Sequence, residues 1–354
     1  MLGRISGVVA RLKEAVSPCA IGVHCAAHRL NLASTQAAKS VPYVEKFNTI
    51  LRQIFDFFDN SAVRTAALSA MECLLKEKGK LVAPFSTRWL SVDKSVAHIK
   101  SCFASVVLSL EREGTERSDA KAIGLAKLVS DYRFVATMHL LCDAFPAVSQ
   151  LSKSFQLQFC DYSIIPSMVT ATTDVLQSMI DTDSVHMTAL DSFLQNLKDS
   201  GINIKETINT GKENFNRTIR KPFLEKLINN LKKRFSSGEV IASFDVFNPS
   251  SLPSTTTPEV LQTFAGYGND KIARLSDAFF DDEQHKNDCI TEWMTYKHFM
   301  KRNFGSKNLR HFVESLSKED LSQIYPKLSA LAKMSGAACP NGRCRKKILP
   351  VEVN

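Results

Sequence analysis

The segment Val44-Glu-Lys-Phe-Asn-Thr-Ile-Leu-Arg-Gln-Ile-Phe-Asp-Phe-Phe58 decides the fold class of this 354-residue chain. Its apolar residues recur three and four positions apart, which is the period of one helix face and not the alternation of a strand. The stripe that this spacing predicts comprises Val44, Phe47, Ile50, Leu51, Ile54, Phe55 and Phe58. We therefore expect an amphipathic helix whose wide apolar face is buried in a helical core.

The same period continues along the chain. Further helical stripes are predicted by Ile99, Cys102, Phe103, Val106, Val107 and Leu110, by Leu125, Leu128, Val129, Tyr132 and Val135, by residues 166–180, and by Phe223, Leu224, Leu227, Ile228, Leu231 and Phe235. The rest of the last helix is basic, through Lys226, Lys232, Lys233 and Arg234. This pattern favours a solvated face over a binding stripe. The fold is predicted to be mainly α.

One short run departs from the helical pattern. Residues 7–16 have helical spacing, Ser17-Pro18 ends that helix, and residues 19–23 (Cys-Ala-Ile-Gly-Val) predict a short buried strand. A helix followed by a strand is typical of an α/β sheet. Almost no other strand-like run occurs, and a single strand leaves both of its edges without partners.

Composition excludes several classes of protein. Hydrophobic residues make up 44% and charged residues 23%, as in soluble globular proteins. No stretch approaches the roughly 18 uninterrupted apolar residues of a membrane span, and the N-terminal residues lack the apolar run of a signal peptide. Nine cysteines without a CxxC pair favour reduced thiols. We expect a nuclear or cytoplasmic protein that is neither secreted nor bound to a membrane.

The positive charge is unevenly distributed. The chain carries a net charge of +9, and residues 1–100 hold 14 Lys or Arg against 7 Asp or Glu. Residues 341–354 hold four basic residues against one acidic residue, so the 240 residues between these segments have a net charge of −1. A basic N-terminal third is compatible with a polyanion partner, and ordinary solvated Lys and Arg side chains explain it equally well.

The C-terminal third contains two changes of character. The segment Asn248-Pro-Ser-Ser-Leu-Pro-Ser-Thr-Thr-Thr-Pro258 lacks an apolar period and predicts a linker. Helices resume after it, and residues 336–354 then combine turn residues with positive charge, which predicts a disordered basic tail. The core candidates between linker and tail are Trp293, Tyr296, Phe299, Met300 and Phe304.

Three short segments carry candidate chemistry: residues 24–32 (HCAAHRLNL), residues 86–91 (STRWLS) and residues 325–331 (YPKLSAL). Taken one at a time, each is a weak signal. Their order along the chain is the more informative feature.

The first two segments each allow a structural and a functional interpretation. His24, Cys25 and His28 have the spacing of zinc ligands on one helical face, but a fourth ligand is missing nearby, so a partly buried Cys/His pair is favoured over a zinc site. Trp89 is either a core anchor or an indole that stacks on an unpaired base. Arg88 is correspondingly either a surface ion-pair partner or a ligand for the phosphate of that base.

In this order and spacing, the three segments resemble the hAT superfamily of DNA transposases, in particular its host-domesticated vertebrate relatives, which often carry zinc-finger N-termini. The resemblance covers about residues 1–335. HCxAHRLxLA and TRWxS are fairly specific for the superfamily when they occur together, and YPxLSxLA supports them. The resemblance implies an RNase H-like catalytic core that is interrupted by a large, all-helical insertion.

The resemblance also implies a division of the chain into five regions. These are a remnant of the RNase H-like α/β core at 1–33, an all-helical insertion domain at 34–247, the linker at 248–258, a C-terminal helical region at 259–335 that leads to a missing dimerisation segment, and the disordered basic tail at 336–354. The expected fold class is therefore mainly α, with a large helical insertion domain and a small remnant of an RNase H-like core.

Family members cut and join DNA with three carboxylates that hold divalent metal. Two are Asp residues that precede the HCxAHR segment, in a run containing Asp-Gly-Ala, and the third is a Glu that follows the YPxLSxLA segment. This sequence starts at Met1 without the Asp-containing run, and Glu352 lacks the context of the third carboxylate. We therefore expect a chain truncated at both ends relative to the family, with no catalytic residue, metal site, cofactor or enzymatic activity.

The resemblance places Cys25 and His28 near the scissile phosphate, and Arg88 with Trp89 against a flipped end nucleotide. The expected function is that of a domesticated pseudoenzyme that binds DNA weakly or serves as a nuclear protein-interaction scaffold, with DNA and other hAT-derived proteins as partners. The alternatives are a truncated gene product without retained function and a fragment of an active transposase. No GxSxG, HExxH, GxxxxGK[ST] or GxGxxG motif indicates a hydrolase or nucleotide site, and we expect no small-molecule substrate.

Overall fold

The computed structural model describes most of the chain. The described residues are 11, 14–15, 26–77, 79, 81–84, 92–155, 165–207, 211–235, 239–253, 264–304 and 319–337. The predicted strand over residues 19–23 lies outside this part of the chain, as does most of the helix predicted before it.

The described residues are almost entirely helical. The α-helices are α1 (Ala26–Ser40), α2 (Pro42–Asp59), α3 (Ala62–Leu75), α4 (Val92–Ser101), α5 (Phe103–Glu116), α6 (Ala120–Val129), α7 (Tyr132–Ser154), α8 (Ile165–Asp181), α9 (Val185–Thr188), α10 (Leu190–Asp199), α11 (Lys212–Phe215), α12 (Lys221–Phe235), α13 (Glu239–Ala242), α14 (Asn269–Phe279), α15 (Glu283–Phe304), α16 (Glu319–Ile324) and α17 (Pro326–Ala337). A π-helix (Asn216–Arg220) and two 3-10 helices (Ser243–Phe247 and Pro249–Ser251) complete the set. Within these residues there is no strand, and the mainly α prediction is confirmed.

The chain divides into two compact units. The first unit comprises Arg29–Lys153 and Val169–Arg234. The second unit comprises Met1–His28, Ser154–Met168 and Phe235–Asn354.

Helix α2 provides the central stripe of the first unit. Six of the seven predicted residues are buried, but Phe55 is only half-buried and Phe57 takes the remaining core position, with 1% of its surface exposed. Phe57 packs edge-on against Phe58, and the guanidinium of Arg64 lies 4.0 Å from the centre of its ring. Because α3 folds back over the end of α2, the buried face widens there beyond what the spacing alone predicts.

Two of the predicted stripes are divided between helices. The residues from Ile99 to Leu110 are buried as predicted, but α4 ends at Ser101 and α5 begins at Phe103. The carboxylate of Glu77 accepts a hydrogen bond from the backbone N–H of Ser105 at 2.9 Å and so caps the start of α5. A distant side chain supplies this cap, so the helical period could not indicate the break.

The stripe from Leu125 to Val135 is divided in the same way. Helix α6 ends at Val129 and α7 begins at Tyr132, and an isolated bridge joins Asp131 to Lys205. The backbone N–H of Lys205 donates to the carbonyl of Ser130 at 2.7 Å, and the N–H of Tyr132 donates to the carbonyl of Lys205 at 3.1 Å. A crossing segment of chain thus takes the hydrogen bonds that a continuous helix would have made.

The other two helix predictions for the first unit agree with the structure. Residues 166–180 lie within α8. On α12 the predicted face is buried from Phe223 to Leu231, and Phe235 at its end is half-buried.

The core of the second unit surrounds Trp293 of α15. Trp293, Tyr296 and Met300 are fully buried and Phe299 is partly buried, as predicted, while the side chain of Phe304 lies outside the described set. The indole N–H of Trp293 donates to the carbonyl of Tyr267 at 2.9 Å. This bond fixes the turn before α14 against α15.

The first half of the predicted linker is folded into this unit. Residues 249–251 form a 3-10 helix, and Asn248 before it is buried. The ammonium of Lys301 donates to the carbonyl of Pro253 at 3.4 Å. The second half of the predicted linker and the predicted basic tail lie outside the described residues.

One described helix, α7, is long and apolar enough to cross a membrane by length and composition. Its mean hydropathy is 1.2 over an 18-residue window, and 67% of that window is buried inside the protein. Core helices of soluble proteins have the same properties.

Candidate nucleic-acid interface

The first motif segment overlaps the start of α1, and its described side chains range from buried to exposed. Ala26, Leu30 and Ala33 are buried in the core, with 3% of Ala26 and none of the other two exposed. His28 is exposed on the same helix. The apolar residues of HCxAHRLxLA therefore serve packing, and His28 is a polar residue of the motif that packing does not require.

The other residues that the resemblance assigns to nucleic acid lie outside the described part of the chain. These are Cys25, Arg88 and Trp89. The structure therefore neither brings them together with His28 nor separates them from it. His24 and Cys25, two of the three residues in the zinc alternative, also lie outside the described part of the chain. Among the described residues, no group of three or more His, Cys, Asp or Glu side chains could hold a metal ion.

The third motif segment is structural in this fold. Pro326 begins α17, and the carboxylate of Glu292 in α15 accepts hydrogen bonds from the backbone N–H groups of Lys327 at 3.2 Å and Leu328 at 2.9 Å. Burial raises the pKa of Glu292, and these two hydrogen bonds oppose that shift. The ring of Tyr325 packs edge-on against Tyr296, 4.8 Å between centroids. The motif thus docks α17 onto α15.

Helix α1 packs against α12, almost 200 positions later in the sequence. The side-chain amide of Asn230, which is 9% exposed, donates to the carbonyl of Ala33 at 3.1 Å. The guanidinium of Arg234 donates to the amide oxygen of Gln36 at 2.9 Å. These two bonds, one turn apart on α12, fix the two helices side by side within the first unit.

The two paired helices are strongly basic. Together they carry seven Lys or Arg side chains and a single carboxylate, that of Glu225. Glu225 faces Lys221 on the same helix at 4.0 Å. The sequence shows the basic face of α12, which its pattern indicates to be solvated, but not its pairing with α1, because Asn230 and Gln36 have no distinguishing sequence signal.

A second polar cluster lies inside the first unit, around His139 of α7. His139 is fully buried, its Nδ1–H donates to the carbonyl of His186 at 2.8 Å, and its Nε2 has no hydrogen-bond partner among the described residues. The ring of Phe193 packs on it at 4.8 Å. Burial lowers the pKa of His139 to about 4, an effect that the hydrogen bond to His186 opposes and the charge of Lys100 reinforces.

Asp143, one turn further along α7, holds the start of α9. Its carboxylate accepts hydrogen bonds from the hydroxyl of Ser184 at 2.6 Å and from the backbone N–H groups of His186 at 3.0 Å and Met187 at 3.1 Å. The ammonium of Lys100 donates to Nδ1 of His186 at 3.0 Å, which requires a neutral imidazole. Burial first, then Lys100, lowers the pKa of His186, and Asp143 opposes this. The cluster therefore fixes α9 on α7 and α4.

This cluster makes the first unit sensitive to acid. The unfolded chain protonates His139 near its ordinary pKa of about 6.5, and the folded chain does so only near 4, so its stabilising contribution is complete above pH 6.5 and is lost as the pH falls towards 4. We expect His139 to account for about 2 kcal/mol of lost stability between pH 7 and pH 5. Urea unfolding of the wild type and of His139→Phe at both pH values measures it.

The variant lacks the titrating imidazole, so its unfolding free energy should fall less over this range. Carboxylates titrate in both proteins and cancel in the difference. Equal pH dependence in the two proteins would contradict the assignment of the acid sensitivity to His139.

No family model matches the chain, and no solved structure matches it.

Proposed function

We propose that this chain is a non-catalytic, hAT transposase-like protein that binds DNA in the nucleus. The observation that supports this most directly is the burial pattern of the first motif on α1, where Ala26, Leu30 and Ala33 are buried and His28 is exposed. A polar motif residue that contributes nothing to the core is available for contact with a ligand. By the resemblance, that ligand is a DNA phosphate.

The charge of α1 agrees with this ligand. The helix contains Arg29 and Lys39 and no acidic residue, so its electrostatic potential attracts a polyanion. Phosphate contacts of this kind supply most of the affinity of sequence-independent DNA binding.

The proposal includes the absence of strand cleavage. In-line cleavage by this family needs three metal-binding carboxylates, and removal of one of them should abolish it. Within the 354 residues no Asp-Gly-Ala run occurs, and Glu352 lacks the context of the third carboxylate. Incubation of the chain with labelled DNA and Mn²⁺ tests the proposed absence of strand cleavage, because cleaved or joined strands would contradict it.

The second motif gives the sharpest mutational test. If Trp89 stacks on an unpaired end nucleotide, Trp89→Ala should weaken binding to a duplex with an unpaired terminal base by about 1–3 kcal/mol, or roughly 5- to 150-fold. Binding to the same duplex with a blunt, fully paired end should change little. Fluorescence anisotropy with both duplexes measures the two affinities.

Trp89→Phe is the matched control, because it keeps an aromatic face and should retain most of the preference. An equal loss on both duplexes, accompanied by a lower unfolding temperature, would indicate that Trp89 is a core anchor and would remove it from the proposed site.

A second candidate function is a nuclear protein-interaction scaffold, and one observation favours it. The outer face of α3 carries Val63 and Leu74, which are 58% and 75% exposed, with Ala66 and Ala70 exposed between them. A helix face with apolar and small residues suits another helix better than it suits DNA. Sedimentation of the chain with a purified hAT-derived relative distinguishes the candidates, since a scaffold forms a complex without DNA.

A further inference from the structure

We infer that α12 is a second DNA-contacting helix, and that α1 and α12 together bind the phosphate backbone of duplex DNA through Lys39, Lys226, Lys232 and Arg234. This inference rests on the proposed function and adds to it the residues and the form of DNA. All four residues belong to the first unit.

The two helices form one surface because specific bonds hold them together. Asn230 is buried at their contact and donates to a backbone carbonyl of α1, and Arg234 reaches across to Gln36. A buried amide needs a hydrogen-bond partner, so the bond of Asn230 specifies how α12 lies on α1. The basic side chains of both helices are therefore held in a fixed arrangement.

Two lysines of this surface differ from three arginines elsewhere in the first unit, which pair with carboxylates. Arg64 pairs with Asp119 at 2.7 Å, Arg133 with Asp131 at 2.6 Å, and Arg220 with Asp183 at 2.5 Å. Lys226 and Lys232 are exposed and pair with no carboxylate within the described part of the chain. Their charge is thus not neutralised within the fold and is available to a polyanion.

The spacing suits the backbone of a duplex. Lys226 and Lys232 are six residues apart, which is about 9 Å along a helix axis and about 120° around it, so they lie at opposite edges of the exposed face of α12. Each ammonium is carried on a flexible four-carbon stem, so the two side chains can reach different phosphates. Side chains that contact phosphates fix the orientation of a protein on DNA without reading its sequence, so we expect this surface to bind duplexes of any sequence.

The test compares two double variants of equal charge in the first unit. Lys226→Ala with Lys232→Ala removes two charges from the proposed surface. Lys127→Ala with Lys198→Ala removes two exposed charges from α6 and α10, outside it. Both proteins and the wild type are titrated against a blunt duplex between about 50 and 200 mM salt, since each phosphate contact contributes about −0.9 to the slope of log affinity against log salt.

The slope of the Lys226→Ala, Lys232→Ala variant should be smaller in magnitude by about 1.8 than that of the wild type. Between the two salt concentrations its affinity should therefore fall by a factor about twelve times smaller. The control variant should keep the slope of the wild type. An equal decrease of the slope in both variants would show that only the net charge of the protein matters, and it would overturn the inference. An unchanged slope in the first variant, with clear binding by the wild type, would overturn it too, whereas absence of binding by the wild type would refute the proposed function itself.

Discussion

Replacement of Arg220 by methionine is expected to lower the free energy of unfolding by about 2–4 kcal/mol, the largest effect that we predict for a single side chain in the first unit. Arg220 is 6% exposed at the end of the π-helix. Its guanidinium donates to the carbonyls of Met179 at 2.7 Å and Thr182 at 2.7 Å, and to the carboxylate of Asp183 at 2.5 Å.

The physical reason is the end of α8. The last carbonyls of a helix have no intrahelical partner, and Arg220, from a distant part of the chain, supplies one for Met179 in the last turn and one for Thr182 directly after it. Methionine fills a similar volume without a donor, so those carbonyls lose their partner and the charge of Asp183 loses its counterion. Urea unfolding of the Arg220→Met protein and of the wild type measures the loss of unfolding free energy.

Arg217→Met is the matched control. Arg217 lies in the same π-helix but is exposed, so its replacement should change stability by less than about 0.5 kcal/mol. Equal effects of the two substitutions would contradict the role given to the Arg220 contacts.

Replacement of Gly268 by alanine is expected to cost about 3 kcal/mol. Gly268 has a φ of +76°, in the left-handed region where alanine is strained by about 1 kcal/mol. An added Cβ would also overlap Cγ2 of Val246 and would lie 2.9 Å from Cζ2 of Trp293, both of which are in the fully packed core of the second unit. Overpacking of this kind costs a further 1–3 kcal/mol, roughly.

Gly201 separates the two contributions. Its φ is +81°, and a Cβ there would meet nothing within 4 Å, so Gly201→Ala should cost only the conformational strain of about 1 kcal/mol. Thermal unfolding of both variants checks the difference. A Gly268→Ala protein no less stable than the Gly201→Ala protein would show that the core around Trp293 is loosely packed.

The sequence was sufficient to predict the fold class and most of the buried faces. On α2, α8 and α12 the apolar residues repeat with the helical period, and a residue at such a position has few alternatives to the core. Phe57 is the instructive exception. It lies beside the predicted stripe, and it is buried because α3 folds back and places Arg64 on its ring, which no local pattern contains.

The helix boundaries were less predictable for a related reason. The breaks between α4 and α5 and between α6 and α7 are stabilised by Glu77, which is 28 positions from its partner Ser105, and by Lys205, which is still further from its partners. The apolar period runs through both breaks without interruption. Helix boundaries that are set by tertiary hydrogen bonds therefore cannot be predicted from the apolar period.

The candidate site was predictable only in part. The motif of α1 indicated His28, and the sequence also showed the basic face of α12, but the pattern favoured a solvated face over a binding surface. The pairing of α12 with α1 depends on Asn230 and Gln36, two residues without a sequence signature. The third motif, by contrast, has a structural explanation in the cap that Glu292 provides for α17.

The central claim is that this chain binds duplex DNA through the basic surface of α1 and α12, and the salt dependence of binding by the wild-type chain tests it most directly. Four phosphate contacts predict a slope of about −3.6 for log affinity against log salt, so that binding weakens about 150-fold between about 50 and 200 mM salt. No detectable binding at the lower salt concentration, or an affinity that does not change with salt, would contradict the account.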